Sequence, residues 1–277
     1  MKPSKSTTLK ELAKNYLEEE RSWTGDELIL DKPYNPMKKT TPPRRVPAAP
    51  APASRVSDKS ANASVADKPR AASGKAAALQ KYKDEIKNCK KCPLGKSRLN
   101  FVFGVGDPDA QLMFVGEGPG FDEDHKGEPF VGRSGQLLTK IIEAAGYRRE
   151  DVFIANIVKC HPMIDPSDPE KHGNDRPPAP EEVATCIPYL HKQIEIIHPK
   201  VICTLGSPSS KTLSGLDTPI SKLRGNWLEY ALPSGETIKM MPTFHPAALL
   251  RNPNLKKDVW EDIKQIMTAL GKKPKKS

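Results

Sequence analysis

Residues 112–135 read LMFVGEGPGFDEDHKGEPFVGRSG. The first four, Leu112 to Val115, are uniformly apolar, the pattern of a strand buried on both faces. The remainder of the stretch is dense in glycine and broken further by Pro119 and Pro129, so Gly116 to Gly135 reads as a loop leaving the end of that strand. Such a loop brings bare backbone N–H groups close to a ligand. It also carries the acids Glu117, Asp122, Glu123 and Asp124, one aromatic, Phe130, and one arginine, Arg133. That is the inventory of a binding pocket.

Outward from this stretch, strands alternate with helices. SGQLLTKIIEAAGY puts Leu137, Leu138, Ile141, Ile142 and Ala145 on one helical face, which Gly146 ends. DVFIANIVKC (151–160) reads as a buried strand with one polar residue near its end, Asn156. In an open parallel sheet, ligand contacts gather at the carboxyl ends of strands, so an amide there is a candidate recognition group. A long proline-punctuated loop, HPMIDPSDPEKHGNDRPPAP, leads to a helix carrying Val183, Ile187, Leu190, Ile194 and Ile197. The strand VICTLG comes next, and then a helix opened by Ser207-Pro208. A strand pair is expected around the Pro-Ser-Gly turn of LRGNWLEYALPSGETIKMMPTF, and a closing helix from Leu255 buries Val259, Ile263, Ile266, Met267 and Leu270. Before residue 112, FVFGVG reads as one more short strand. The fold class is α/β: a three-layer α/β/α sandwich with a mostly parallel central sheet.

One domain is expected, over residues 76–271. Ahead of it, TLKELAKNYLEEE gives an amphipathic helix within residues 1–30, suited to a protein partner. Residues 31–75, dense in Pro, Ala, Ser and basic residues, cannot bury enough apolar surface to offset chain entropy and read as a disordered linker. A basic tail occupies 272–277. The formal net charge of +10 favours a polyanionic partner through phosphate neutralisation. No apolar run is long enough to span a bilayer, which sets membrane partners aside and leads us to expect a soluble, cytoplasmic chain.

The chain has five cysteines, which in a reducing compartment point to metal ligands or buried thiols rather than disulfides. Cys203 lies inside an apolar strand and reads as a core residue. Cys89 and Cys92 form a C-x2-C knuckle, Cys160 ends a strand and Cys186 starts a helix, places from which thiolates can converge. Four thiolates suit zinc or a [4Fe-4S] cluster, and spacing alone leaves both open.

The loop GEGPGFDEDHKGEPFVGRSG, the strand end ANIVKC, the passage LRGNW and the segment HPAALLRNP, in this order, resemble the family 4, iron-sulfur type, uracil-DNA glycosylases. The resemblance covers roughly residues 81 to 270. It implies a [4Fe-4S] cluster held by Cys89, Cys92, Cys160 and Cys186, and hydrolysis of the bond joining uracil to deoxyribose in single- or double-stranded DNA by a monomeric base-excision enzyme. Glu117 and His245 match the family's two catalytic motifs: Glu117 to position water and favour a cationic sugar, His245 to hydrogen-bond uracil O2. Phe130 supplies a stacking face, Asn156 an amide for the uracil edge, and the backbone at Gly118, Pro119 and Gly120 fixed dipoles. Reading uracil against cytosine requires that the Asn156 amide be held from rotating. Leu249, Leu250 and Arg251 are expected at the DNA, an apolar wedge for the gap left by a flipped base and a cation for a phosphate, the alternative being that both leucines simply pack a helix. Which leucine points outward is open.

The loop between Cys160 and Cys186 departs from the family pattern. It is longer than usual and contains His161 and His172. Some superfamily relatives trap the sugar covalently through a loop histidine, so a covalently trapping or catalytically silent DNA-binding protein is the alternative. The basic Arg-Arg-Ile-His type of sequence of that branch is absent, which favours turnover.

Overall fold

The computed structural model describes residues 74–273. The expected helix within residues 1–30, the linker up to residue 73 and the tail from residue 274 lie outside the described residues.

The described residues open with α1 (Gly74–Ile86), which begins two residues before the expected domain start, and a short α2 (Leu94–Ser97). Then come β1 (Val105–Gly106), β2 (Leu112–Gly116), α3 (Phe121–Lys126), α4 (Arg133–Ala144), β3 (Phe153–Asn156), α5 (Pro180–Ile197), β4 (Val201–Leu205), α6 (Ser207–Ser214) and α7 (Ile220–Leu223). The hairpin β5 (Leu228–Ala231) and β6 (Thr237–Thr243), with α8 (Pro246–Arg251) and α9 (Leu255–Ala269), complete the domain.

The strands form one six-stranded sheet in the order β1-β3-β2-β4-β6-β5. β2 pairs in parallel with β3 and β4, and β4 with β6, whereas the edge strands β1 and β5 run antiparallel to their neighbours. Every residue of β2, β3 and β4 is buried, as uniformly apolar runs demand of strands covered by helices on both faces. The order reverses at β2, since β3 lies on one side of it and β4 on the other, and the connection from β3 to β4 crosses over. The carboxyl ends of β2, β3, β4 and β6 therefore open at one edge of the sheet, where such folds bind ligands. No helix of the described residues is long and apolar enough to cross a membrane.

Four expectations change. FVFGVG forms strand only at Val105–Gly106, because residues before it contribute one irregular link, Val102 N–H to Lys159 O at 2.9 Å. β3 stops at Asn156 instead of running to Cys160; beyond it Ile157 and Val158 still donate to Gly116 O and Glu117 O as the chain turns away. The glycine-rich stretch is also more than a loop, since FDEDHK at its centre is helical α3. Glu123 makes this possible: its carboxylate accepts from Gly120 N at 3.2 Å and from Val131 N and Gly132 N at 2.9 and 3.0 Å. It thus caps the start of α3 and ties down the entry to α4. The closing helix forms as expected, but Leu270 is its half-buried cap instead of a face residue.

Candidate active site

At the open edge lies a cavity of about 840 Å³ whose lining includes Glu117, Phe130, Asn156, Gly206, His245 and Leu250. Beneath its Asn156 and Phe130 walls β2 ends at Gly116. A Cβ there would lie 2.4 Å from Asn156 Oδ1 and 2.6 Å from the Phe130 ring, so only glycine lets the amide and the ring meet over the strand end. Phe130 itself takes a left-handed backbone, φ 54°, uncommon for an aromatic residue. Its backbone is gripped from behind, where a Cβ on Gly135 would fall 1.9 Å from Phe130 O.

Asn156 is 2 % exposed, and its Oδ1 has no hydrogen-bond partner. A buried amide oxygen without a partner costs about 1–3 kcal/mol, so such an atom in a cavity wall marks the place of a ligand donor. The amide is held by its neighbours. Packing against Gly116 and Phe130 restrains it, and its backbone carbonyl is held by Lys159 Nζ at 2.7 Å.

His245 caps α8 and accepts from Ala247 N through Nδ1 at 3.1 Å. An accepting Nδ1 leaves the proton on Nε2, which makes the ring a neutral donor. Burial, reinforced by the Arg251 cation, pushes its pKa down to about 4. The Phe130 and His245 rings face one another with centroids 5.5 Å apart. Glu117, half-buried in the same wall, has its pKa raised by burial. Of the expected backbone dipoles, Pro119 has no N–H and that of Gly120 goes to Glu123, which leaves Gly118. Asp124, grouped with the pocket acids by sequence, is fully buried and accepts from Leu99 N and Asn100 N, so its role is structural.

The leucines separate cleanly. Leu249 is 1 % exposed and packs the core, whereas Leu250 is 43 % exposed and lines the cavity with Arg251. Behind His245 is a network that sequence reasoning missed: Asp262, fully buried, takes Arg224 through Nη2 at 2.6 Å and Thr243 through Oγ1 at 2.6 Å. Arg224 belongs to LRGNW, so that motif braces the end of β6 just before His245. The only available signal was a lone acid on the apolar face of α9.

Four of the cysteines gather around one core cluster. Cys160 and Cys186 are buried, and Cys89 and Cys92 pack half-buried against the same core cluster. Burial drives the Cys160 thiol up to about 12 and raises Cys186; Arg98 and Lys159 respectively oppose this, and the neighbouring sulfurs, Cys92 among them in both cases, add to it. Three sulfurs receive donors: Cys160 from Arg98 Nη1 at 3.0 Å, Cys186 from Lys159 N at 3.3 Å and Cys89 from Tyr189 Oη at 3.1 Å. No group of three or more His, Cys, Asp or Glu side chains among the described residues is placed to hold a single metal ion. Cys203 is a fully buried core residue. Lys159 joins the two regions, with its N–H on Cys186 and its fully buried Nζ shared between Asn156 O and Gln193 Oε1, the latter at 2.6 Å.

Both loop histidines are engaged. His161 is buried between Asp175, whose Oδ1 lies 2.6 Å from Nε2, and Asp124, 3.6 Å from Nδ1; burial lowers its pKa, but the two carboxylates outweigh this and lift it to about 9. His172 lies against the Phe121 ring.

A mostly parallel α/β sheet whose strand ends converge on an orphaned amide, a neutral imidazole and a half-buried carboxylate defines a pocket for a flat polar heterocycle. Residues 103–264 match the model of the uracil DNA glycosylase superfamily, and the chain belongs to that family. Within it, the chain is similar to the type-4 uracil-DNA glycosylases. It is 46 % identical to that of Sulfurisphaera tokodaii over 68 % of this chain and 83 % of the relative. It is 44 % identical to that of Thermotoga maritima, over 68 % and 93 %, and 43 % identical to that of Archaeoglobus fulgidus, over 68 % and 92 %.

Proposed function

We propose that this protein removes uracil from DNA by hydrolysing its N-glycosidic bond, leaving an abasic site. The observation that carries the reading is the buried, partnerless Oδ1 of Asn156, an acceptor waiting for a donor such as uracil N3–H; the N–H2 of the same amide would then donate to O4. A base inside a duplex cannot reach this cavity, so the nucleotide must leave the stack first. Phe130 then offers its ring face to the base, and Leu250 fills the gap while Arg251 meets a phosphate.

Breaking the C1′–N1 bond sends its electron pair into the uracil ring and leaves positive charge on the sugar. His245 donates through Nε2 to O2 as negative charge collects there, in a site where a fixed donor contributes about 2.7–4 kcal/mol. Because the ring is neutral it stabilises this charge by hydrogen bonding and transfers no proton. Glu117 favours the cationic sugar and, as water adds to C1′, accepts the proton that water gives up. The N–H of Gly118 adds a fixed dipole at the wall. We take the protein to act on DNA as a monomer, in the cytoplasm.

The donor set of Cys89, Cys92, Cys160 and Cys186 fits a [4Fe-4S] cluster. Four thiolates around one zinc would stand about 3.8 Å apart, given Zn–S near 2.3 Å, whereas a four-iron cube holds its sulfurs more widely. The N–H and O–H groups already aimed at three of these sulfurs suit thiolates in a cluster. When bound, the cluster would act as a clip between the knuckle before β1, the end of β3 and the start of α5.

Uracil release from oligonucleotides tests the activity. Asn156→Asp removes the donor to O4 and should lower release about 5- to 150-fold, the equivalent of about 1–3 kcal/mol; an unchanged rate would mean the pocket is misassigned. Cys186→Ser should abolish iron content and visible absorbance in the purified protein. A colourless wild type carrying zinc would remove the cluster.

A further inference from the structure

The loop between β3 and α5 is braced far more than its composition suggests. Asn174, buried, accepts from Asp165 N at 2.7 Å through its side chain and donates to Asp165 O and Asp168 O. Met163 and Asp175 pair as an isolated bridge, and Ile164 N donates to Asn174 O. At its base, Arg176 forks onto Glu182 with two 2.8 Å bonds and holds Met163 O through Nε. From this rigid frame His172 is laid on Phe121, centroids 3.9 Å apart with 35° between planes, while His125 lies 4.1 Å from the same ring at 33°. Two rings at such distances cannot share one face, so Phe121 is sandwiched and His172 is the outer member of a three-ring stack. His125 is fixed in turn, its Nδ1 at Phe121 O and its Nε2 3.0 Å from Glu170 of the loop. His172 is exposed, has no second ring partner among the described residues, and lines the same cavity as Asn156 and His245.

A pre-ordered ring with one open face beside a pocket for an everted base is a stacking platform, and single-stranded nucleic acid is bound by such platforms. We infer that His172, backed by Phe121 and His125, forms a second base subsite that takes the nucleobase next to the flipped uracil in single-stranded DNA. This rests on the glycosylase reading above. A base in a duplex keeps its own stacking neighbours and gains nothing from the platform, so the subsite favours uracil in single strands. The frame holds the ring in place before DNA arrives, so little ordering cost falls on binding.

The test is a steady-state comparison of wild type, His172→Ala and His172→Trp. The substrates are single-stranded oligonucleotides with uracil flanked by normal nucleotides or by a baseless nucleotide on the 5′ side, the 3′ side or both, together with the matching duplex. Stacking measured by alanine substitution predicts that His172→Ala raises KM about 5- to 150-fold on the normally flanked single strand. The baseless flank on one side should cost wild type a similar factor, and on that substrate the variant should lose nothing more. His172→Trp should restore the lost affinity, and the duplex should be affected far less. An equal loss on all substrates, or a loss matched by a fall in melting temperature that Trp does not rescue, would assign His172 to loop fastening and overturn the proposal. A denaturation-resistant protein–DNA adduct that His172→Ala abolishes would overturn it in favour of covalent trapping. If wild type releases no uracil from any substrate, the glycosylase reading fails instead, and does so separately.

Discussion

Changing His245 to Gln keeps a side-chain donor at the head of α8 but removes a titrating group, and the pH dependence of the two proteins should then diverge in a calculable way. The His245 pKa stands at about 4 against 6.5 for a free imidazole. At 1.36 kcal/mol per pKa unit the difference is about 3.4 kcal/mol. Because the folded pKa is the lower one, the unfolded chain takes up its proton first as pH falls. Nothing is lost above pH 6.5, and the destabilisation builds between 6.5 and about 4. Urea unfolding of wild type should therefore show this extra acid sensitivity relative to His245→Gln, growing to about 3 kcal/mol by pH 4. Single-turnover uracil release should show no inflection from His245 near 6.5, since the neutral donor persists well below it. His245→Ala should lose about 10²- to 10³-fold at pH 7.5, the cost of one preorganised donor. Glu117, whose own pKa is raised by burial, contributes an acid limb that Glu117→Gln identifies. The reasoning is refuted if wild-type release falls as pH rises through 6.5 and His245→Gln abolishes that limb, for the active imidazole would then be charged.

Leu249→Ala should cost about 2–5 kcal/mol of stability in urea melts, the penalty of a core cavity, because Leu249 is 1 % exposed. Leu250→Ala should leave stability within about 0.5 kcal/mol and slow release from duplex more than from single strands; equal slowing on both would remove it as a wedge. Asp262→Asn leaves Arg224 facing a neutral partner at 2.6 Å and loosens Thr243. A loss approaching about 3–5 kcal/mol is expected in melts, with a lower kcat as the end of β6 shifts; activity retained at full kcat would separate the brace from His245.

Sequence periodicity placed the sheet, the hairpin and the longer helices after β2 because each rests on local pattern: a continuous apolar run makes a doubly covered strand whatever surrounds it. It failed where distant groups decide local structure. FDEDHK looked like loop among glycines, yet Glu123 caps α3 through backbone donors on both sides of it. The run FVFGVG looked like strand, yet only Val105 and Gly106 find a regular partner on β3. Asp124 and Glu123 shared the chemistry of Glu117 on paper, and only their partners showed that they hold backbone while Glu117 faces the cavity.

The candidate site divides in the same way. Residue types and motif order singled out the candidate groups: Glu117, Asn156, His245, Phe130 and four of the cysteines stand in recognisable stretches, because their chemistry is a property of the side chain. Protonation, orientation and exposure belong to the tertiary structure. Ala247 N fixes the His245 tautomer, and burial together with Arg251 keeps that ring neutral. The opposite fates of adjacent Leu249 and Leu250 follow from the angle at which α8 meets the core. The coupling of Asn156 to Cys186 through Lys159, and of LRGNW to His245 through Asp262, exists only once strand ends far apart in sequence are brought to one edge of the sheet. Hydrogen bonds and desolvation act over a few ångströms, and the sequence alone does not say which residues come that close.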